Sequence, residues 1–203
     1  MSQQEHGFAN PGPQALTALS IACFIFFGIL TGKIGADSHL AVGIWLFGGF
    51  VCQFTAGIIE LKERNITGGN VMLLFGVFFM LVTGLLNVAE FICHSNNIHW
   101  NAACDPYAWL SLSIILTVIT PAYLLGSPVF LFALLFADVA LWFITLMKFK
   151  VVVPAVAAPI AAYSLLILGL LGLYLAAATV LNTTFKKAVL PTGKPFLRLD
   201  ENN

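Results

Sequence analysis

One carboxylate stands alone in a long apolar run of this sequence. Asp138 lies near the middle of Pro128–Met147, with no other charge in that stretch. Carboxylates set in apolar surroundings take up and release protons, hold cations, or accept hydrogen bonds from neighbouring hydroxyls. A second group gathers Cys93, His94, His99, Cys104 and Asp105 within thirteen positions. Thiols and imidazoles at such spacing can form a disulfide, remain free, or hold a metal. The tight CxxC spacing of a zinc site is missing, and the three readings stay open. Amides form a third group, with Gln53 and Asn87 inside apolar runs and Asn10 and Asn65 just before them. No nucleophile–base pair, phosphate-binding loop or cofactor motif is present, so neither an enzyme nor a bound cofactor is expected, and no residue is assigned as a metal ligand.

The elements that must carry these groups follow from composition. Of 203 residues, 60% are hydrophobic and 9% are charged. Soluble domains carry about 25% charged residues, so this chain cannot wet a globular surface. Disorder, an ordinary soluble enzyme and a nucleic-acid binder held by basic patches are excluded with it. A helical span needs about 20 mostly apolar residues. Six such runs are read at Ala15–Ile34, Leu40–Ile59, Val71–Ile92, Tyr107–Gly126, Pro128–Met147 and Ala155–Leu181. They are continuous rather than alternating, which excludes a β-barrel. The expected class is all-α: a polytopic membrane protein in which residues 15–181 form a six-helix domain between an N-terminal segment (1–14) and a C-terminal tail (182–203). A polar start without a basic n-region argues against a signal peptide.

Lys62, Arg64, Lys186, Lys187, Lys194 and Arg198 fall on the side of the termini, against Lys33, Lys148 and Lys150 on the other. Basic residues collect on the cytoplasmic side, so both termini are expected there, in a cell (inner) membrane protein. Leu131, Leu135, Asp138 and Trp142 recur at helical spacing and share one face. Asp138 is therefore expected either to line a pore as a titrating group or to bond a Thr, Ser or Asn of a neighbouring helix. Gln53 and Asn87 suit hydrogen bonds between helices. Gly28 and Gly32, with Gly48, Gly49, Gly76 and Gly84, suit close helix contacts. Asn/Gly-rich entries at spans one and three put two positive helix ends on one membrane face, where an anion could be held.

Several segments resemble the succinate–acetate permease family, also called the acetate uptake transporters. Asn10-Pro11-Gly12-Pro13 is similar to the family's Asn-Pro-Ala-Pro opening, and Gln53-Phe54-Thr55-Ala56-Gly57-Ile58-Ile59-Glu60 to the end of its second span. Asn65 and Gly68 stand where the family has Gly-Asn-Thr-Phe-Gly. Tyr174-Leu175-Ala176, Val180-Leu181-Asn182 and Leu190-Pro191-Thr192-Gly193 match its C-terminal motifs. The resemblance implies a homo-hexamer of six-helix protomers in the lipid bilayer, each with its own pore. It implies transport of acetate or similar small monocarboxylates, linked to protons. The family's apolar gate of Phe, Tyr and Leu maps onto Leu19, Phe75 and Leu135, without the Tyr hydroxyl. Such a ring gates by dewetting. The substrate path is expected to involve Asn10, Pro11, Leu19, Gln53, Glu60, Asn65, Phe75, Asn87, Leu135 and Asp138. A pore for a small neutral solute such as urea, an amide or water is the alternative, and a sensor or scaffold is a third reading.

Overall fold

The computed structural model describes residues 7–197. Six helices long and apolar enough to span a membrane carry most of them: α1 (Gly12–Leu30), α2 (Ala36–Lys62), α3 (Ile66–Ser95), α4 (Asp105–Leu125), α5 (Pro128–Lys148) and α6 (Pro154–Phe185). No strand occurs among the described residues. The helices begin and end within a few residues of the expected runs, and the clearest differences have local causes. Leu30 ends α1 before Gly32, whose φ of +71° lies in the left-handed region that glycine tolerates. Gly32 therefore turns the chain and does not pair with Gly28 inside the span. At the other end, α6 continues four residues past Leu181 and stops where Lys186 turns left-handed.

Connections between consecutive spans are short, so neighbours run antiparallel. α1 packs on α2 and α6, α2 on α3, and α5 on both α4 and α6. Small residues set the closest approaches. Gly169 and Gly172 of α6 face Cys23 and Ser20 of α1, and Gly43 and Gly84 bring the backbones of α2 and α3 together. A side chain at any of these positions would force the helices apart. Gly48, by contrast, faces open space. Large side chains close the ring between α3 and α4: Phe79 meets Trp109 edge-on at 5.9 Å, and the Tyr123 hydroxyl donates to the Thr67 carbonyl at 3.3 Å. The six helices thus enclose a central axis.

Two helices are irregular. From Phe75 to Val82, α3 is wound as a π-helix, and Thr83 Oγ1 donates back to the Phe78 carbonyl five residues earlier. From Thr120 to Leu125, α4 tightens into a 3-10 turn beginning next to Pro121, which has no N–H to offer. Spanning helices tolerate such breaks where neighbouring groups satisfy the freed backbone.

The tail folds back onto the bundle. Asn182 Oδ1 accepts from the N–H groups of Val189 and Leu190, and its Nδ2 donates to the Leu190 carbonyl. Tyr174 donates to the Pro191 carbonyl, Ser127 to that of Thr192, and the Leu197 N–H to that of Leu124. Gly193, at φ +81°, lies against Pro128 where a Cβ would not fit. The Tyr174, Asn182 and Leu-Pro-Thr-Gly segments are thereby one strap across the α4–α5 connection. Arg198 lies outside the described residues.

A central apolar cavity with one amide

Residues of all six helices meet around a cavity of about 50 Å³ on the axis. That is room for a small group of a few heavy atoms. Its wall includes Leu16 and Leu19 of α1, Phe75 and Phe79 of α3, Leu134 and Ala137 of α5, and Leu168 and Gly172 of α6. Gln53 of α2 is its one polar side chain. On the side away from the termini, buried Phe79 packs against Phe26 and, edge-on, against Trp109, with centroids 5.1 and 5.9 Å apart, an aromatic layer reaching beyond the cavity wall.

Gln53 is 3% exposed. Its Nε2 reaches the Ala15 carbonyl at a long 3.4 Å, and its Oε1 has no partner. An orphaned buried acceptor costs about 1–3 kcal/mol, so it is either tolerated at that cost or met by a passing donor. Which end of the amide is oxygen is assigned from its hydrogen bonds. In either orientation one donor and one acceptor stand side by side in an apolar chamber.

Seven residues further along α2, on the same face, lies Glu60, buried near the termini. Seven residues of helix are about 10 Å. Glu60 Oε2 accepts from Asn65 Nδ2 at 2.5 Å, while Asn65 Oδ1 caps α3 by accepting from the Gly68 N–H at 3.0 Å. Asn65 is thus a helix cap that also holds the carboxylate. Asn10 Oδ1 accepts from the Gly12 N–H at 2.7 Å, and Pro11 is the N-cap of α1. Both start the helix that carries Leu19 and do not line the cavity.

The structure thus brings Leu19, Gln53 and Phe75 together and leaves the other expected residues elsewhere. Leu135 is a correction: it is 44% exposed on the outside of α5, and Leu134 occupies the cavity. The reason is helical phase. The stripe through Leu135, Asp138 and Trp142 lies roughly 100° round the helix from the one through Phe130, Leu134, Ala137 and Leu141. The alanines at 133, 137 and 140, all buried, were the signal in the sequence, because small residues mark the packed face of a membrane helix. Asn87 is a second correction. Its Nδ2 donates to the Thr83 carbonyl within its own helix, at 2.8 Å, and not across helices.

Asp138 is the third correction. It does not line the cavity but faces α4. Thr117 Oγ1 donates to its Oδ1 at 3.0 Å and Thr120 Oγ1 to its Oδ2 at 2.8 Å. Trp142 Nε1 then donates to Thr117 Oγ1 at 2.9 Å. Both carboxylate oxygens lie within hydrogen-bond reach of hydroxyls of the neighbouring helix, which also have the Ser113 and Leu116 carbonyls of their own helix as acceptors at 2.9 Å, next to the point where α4 tightens ahead of Pro121. This is the bonded arrangement of the two that the sequence allowed.

All four cysteines are free, and no three His, Cys, Asp or Glu side chains converge on a metal-sized point among the described residues. Asp105 instead pairs with Lys148 of α5.

Sequence comparison aligns the whole of this architecture with known proteins. A profile described as the GPR1/FUN34/yaaH family matches residues 1–194. The glyoxylate pathway regulator of Yarrowia lipolytica is 32% identical over 139 residues, covering 66% of this chain. The chain spans about half the length of that curated relative, with 50% of it covered. Among solved structures, the bacterial acetate channel SatP superposes with a TM-score of 0.78 at 23% identity, covering 92% of this chain and 99% of that one. That likeness is one of fold.

Proposed function

The chain belongs to the GPR1/FUN34/yaaH family, and from that premise we propose that it passes acetate or a similar small monocarboxylate through the central cavity of each protomer. The observation that carries the reading is the lone amide of Gln53, with its unpaired Oε1, in an otherwise apolar chamber. A carboxylic acid in its neutral form offers one O–H donor and one C=O acceptor, which match the amide's acceptor and donor. Its short alkyl group suits the walls. An ionised carboxylate meets no cation in the cavity, and a buried unpaired charge is strongly disfavoured. The protonated acid is therefore the species that crosses the narrowest region, and a proton moves with each molecule of substrate. This deepens the expected proton linkage and removes Asp138 from it.

Leu19, Phe75 and Leu134 form the gate, an apolar constriction that excludes hydrated ions by dewetting. Glu60 and Asn65 stand at the mouth nearer the termini. The protomers assemble as a homo-hexamer in a cell membrane with both termini cytoplasmic, a reading supported by the family motifs and by the six-to-three bias of basic residues.

The test is uptake of labelled acetate into proteoliposomes containing the full chain, with protein-free liposomes subtracting passive leak of the acid. Uptake should rise as external pH falls from 7.5 to 5.5, and Gln53→Leu should lower it about ten-fold, the cost of a lost buried hydrogen bond of roughly 1.4 kcal/mol. Uptake no faster than in protein-free liposomes at every pH would overturn the proposal.

A further inference from the structure

Among the described residues, the family motifs and the central cavity leave three histidines unused. His39 opens the regular part of α2, His94 lies in the last turn of α3, and His99 follows in the loop to α4. All three line one pocket of about 420 Å³ on the face away from the termini, together with Glu90, Phe91, Ile98 and Trp100. Its lining is far more polar than that of the central cavity. His39 Nδ1 stands 3.7 Å from Glu90 Oε2, and Glu90 and His94 share a helix face at i, i+4 spacing. His94 and His99 are exposed.

We propose that this pocket is an acid-switched docking site for small carboxylate anions on the far face of the protein. The inference rests on the carboxylate reading above. Imidazoles change charge between about pH 5 and 8. With three imidazoles neutral, the Glu90 carboxylate makes the pocket acidic and an anion is repelled. With the imidazoles protonated, one neutralises Glu90 through the His39 pair and two cations remain. The other ionisable groups nearby, Lys33 and Asp37 before α2 and Cys93 on α3, are outside the lining. The walls of Phe91, Ile98 and Trp100 take the alkyl part of the anion. The pocket is too broad for a bare metal ion, and no three of its ligating groups converge. Acid therefore gathers the substrate anion on this face under the same conditions that generate its protonated form.

The experiment has two arms on the full chain. In lipid nanodiscs, saturation-transfer NMR with propionate should show binding at pH 5.5 that weakens at pH 7.5, and His94→Gln/His99→Gln should remove the pH 5.5 excess. In proteoliposomes, the double variant should raise the acetate concentration for half-maximal uptake roughly five-fold at acid external pH, the scale of an exposed charge interaction, and leave the saturated rate unchanged. Wild-type uptake with an unchanged double variant at both pH values overturns the docking site and leaves transport standing. Absence of wild-type uptake overturns the transport reading, and the NMR arm then decides the pocket by itself. Binding of micromolar Zn²⁺ that needs His94 and His99, with no propionate signal, would show a metal site in its place and overturn the proposal.

Discussion

Two polar groups lie within the spans of this bundle, Gln53 buried at the cavity and Asp138 half-buried between α4 and α5, and they are held in opposite ways. Asp138 carries the charge but has both oxygens within hydrogen-bond reach of the Thr117 and Thr120 hydroxyls, at the junction of α4 and α5. Gln53 is neutral yet has an acceptor with no partner, and it faces the cavity. Charge inside a membrane draws attention because it is costly. The cost is met here in part by hydroxyls already in the fold, and Asp138 stands outside the cavity. The unmet valence belongs to the less conspicuous group. Satisfied polar groups hold a structure together, and unsatisfied ones are available for binding.

That contrast can be broken or sharpened by substitution. The largest effect is expected from Leu134→Trp, which fills the cavity and should cut acetate uptake by more than about ten-fold, since a conducting path depends on pore radius. The same substitution at Leu135 adds bulk on the outside and should leave uptake within about two-fold; equal losses at 134 and 135 would return Leu135 to the gate. Gln53→Leu comes next, with the ten-fold loss of uptake given above but no loss of thermal stability, because replacing an unsatisfied buried amide by an apolar group of similar size is near neutral. Asp138→Leu should do the reverse. It removes the bonds from Thr117 and Thr120 to the carboxylate, worth about 1–3 kcal/mol together, while both hydroxyls keep the Ser113 and Leu116 carbonyls as acceptors. Each kcal/mol lowers the melting temperature by roughly 2–4 °C in a soluble protein of this size. Uptake at a permissive temperature should change little, and its pH profile not at all. An Asp138→Asn protein with normal melting and an altered pH profile would make Asp138 a titrating group after all. The smallest effect is that of Trp142→Phe, which removes one hydrogen bond to Thr117 and should cost about 0.5–1.5 kcal/mol, read as a small fall in melting temperature.

Much of the architecture was legible because it rests on counting. Runs of about 20 apolar residues dictate spans. The helix starts at Pro11, Asn65 and Pro128 follow from local backbone preferences, whereas the stop after Leu30, four residues before the expected Ile34, was not read. Leu19 and Phe75 were reached only through the family resemblance, and Gln53 was expected as a hydrogen bond between helices rather than as the one amide of a cavity. Leu134 was missed by one position, and one position on a helix is 100° of rotation. The π-wound segment of α3 was not legible, as nothing in Phe75–Val82 distinguishes it from an ordinary apolar helix. The strap was half legible: its residues stood out as motifs, but their partners, Leu124, Ser127 and Pro128, are about 50 to 75 positions distant along the chain.

The sequence by itself determined that the chain is a six-helix membrane protein, because hydrophobic length and charge placement are one-dimensional properties. Only the tertiary structure decided which face of each helix meets the axis, that Asp138 finds two hydroxyls, that Gln53 Oε1 finds none, and that three histidines from separate segments share a pocket with Glu90. Satisfaction of a polar group depends on distance to atoms far away in the chain, and neither the identity of a residue nor its neighbours in sequence contain that distance.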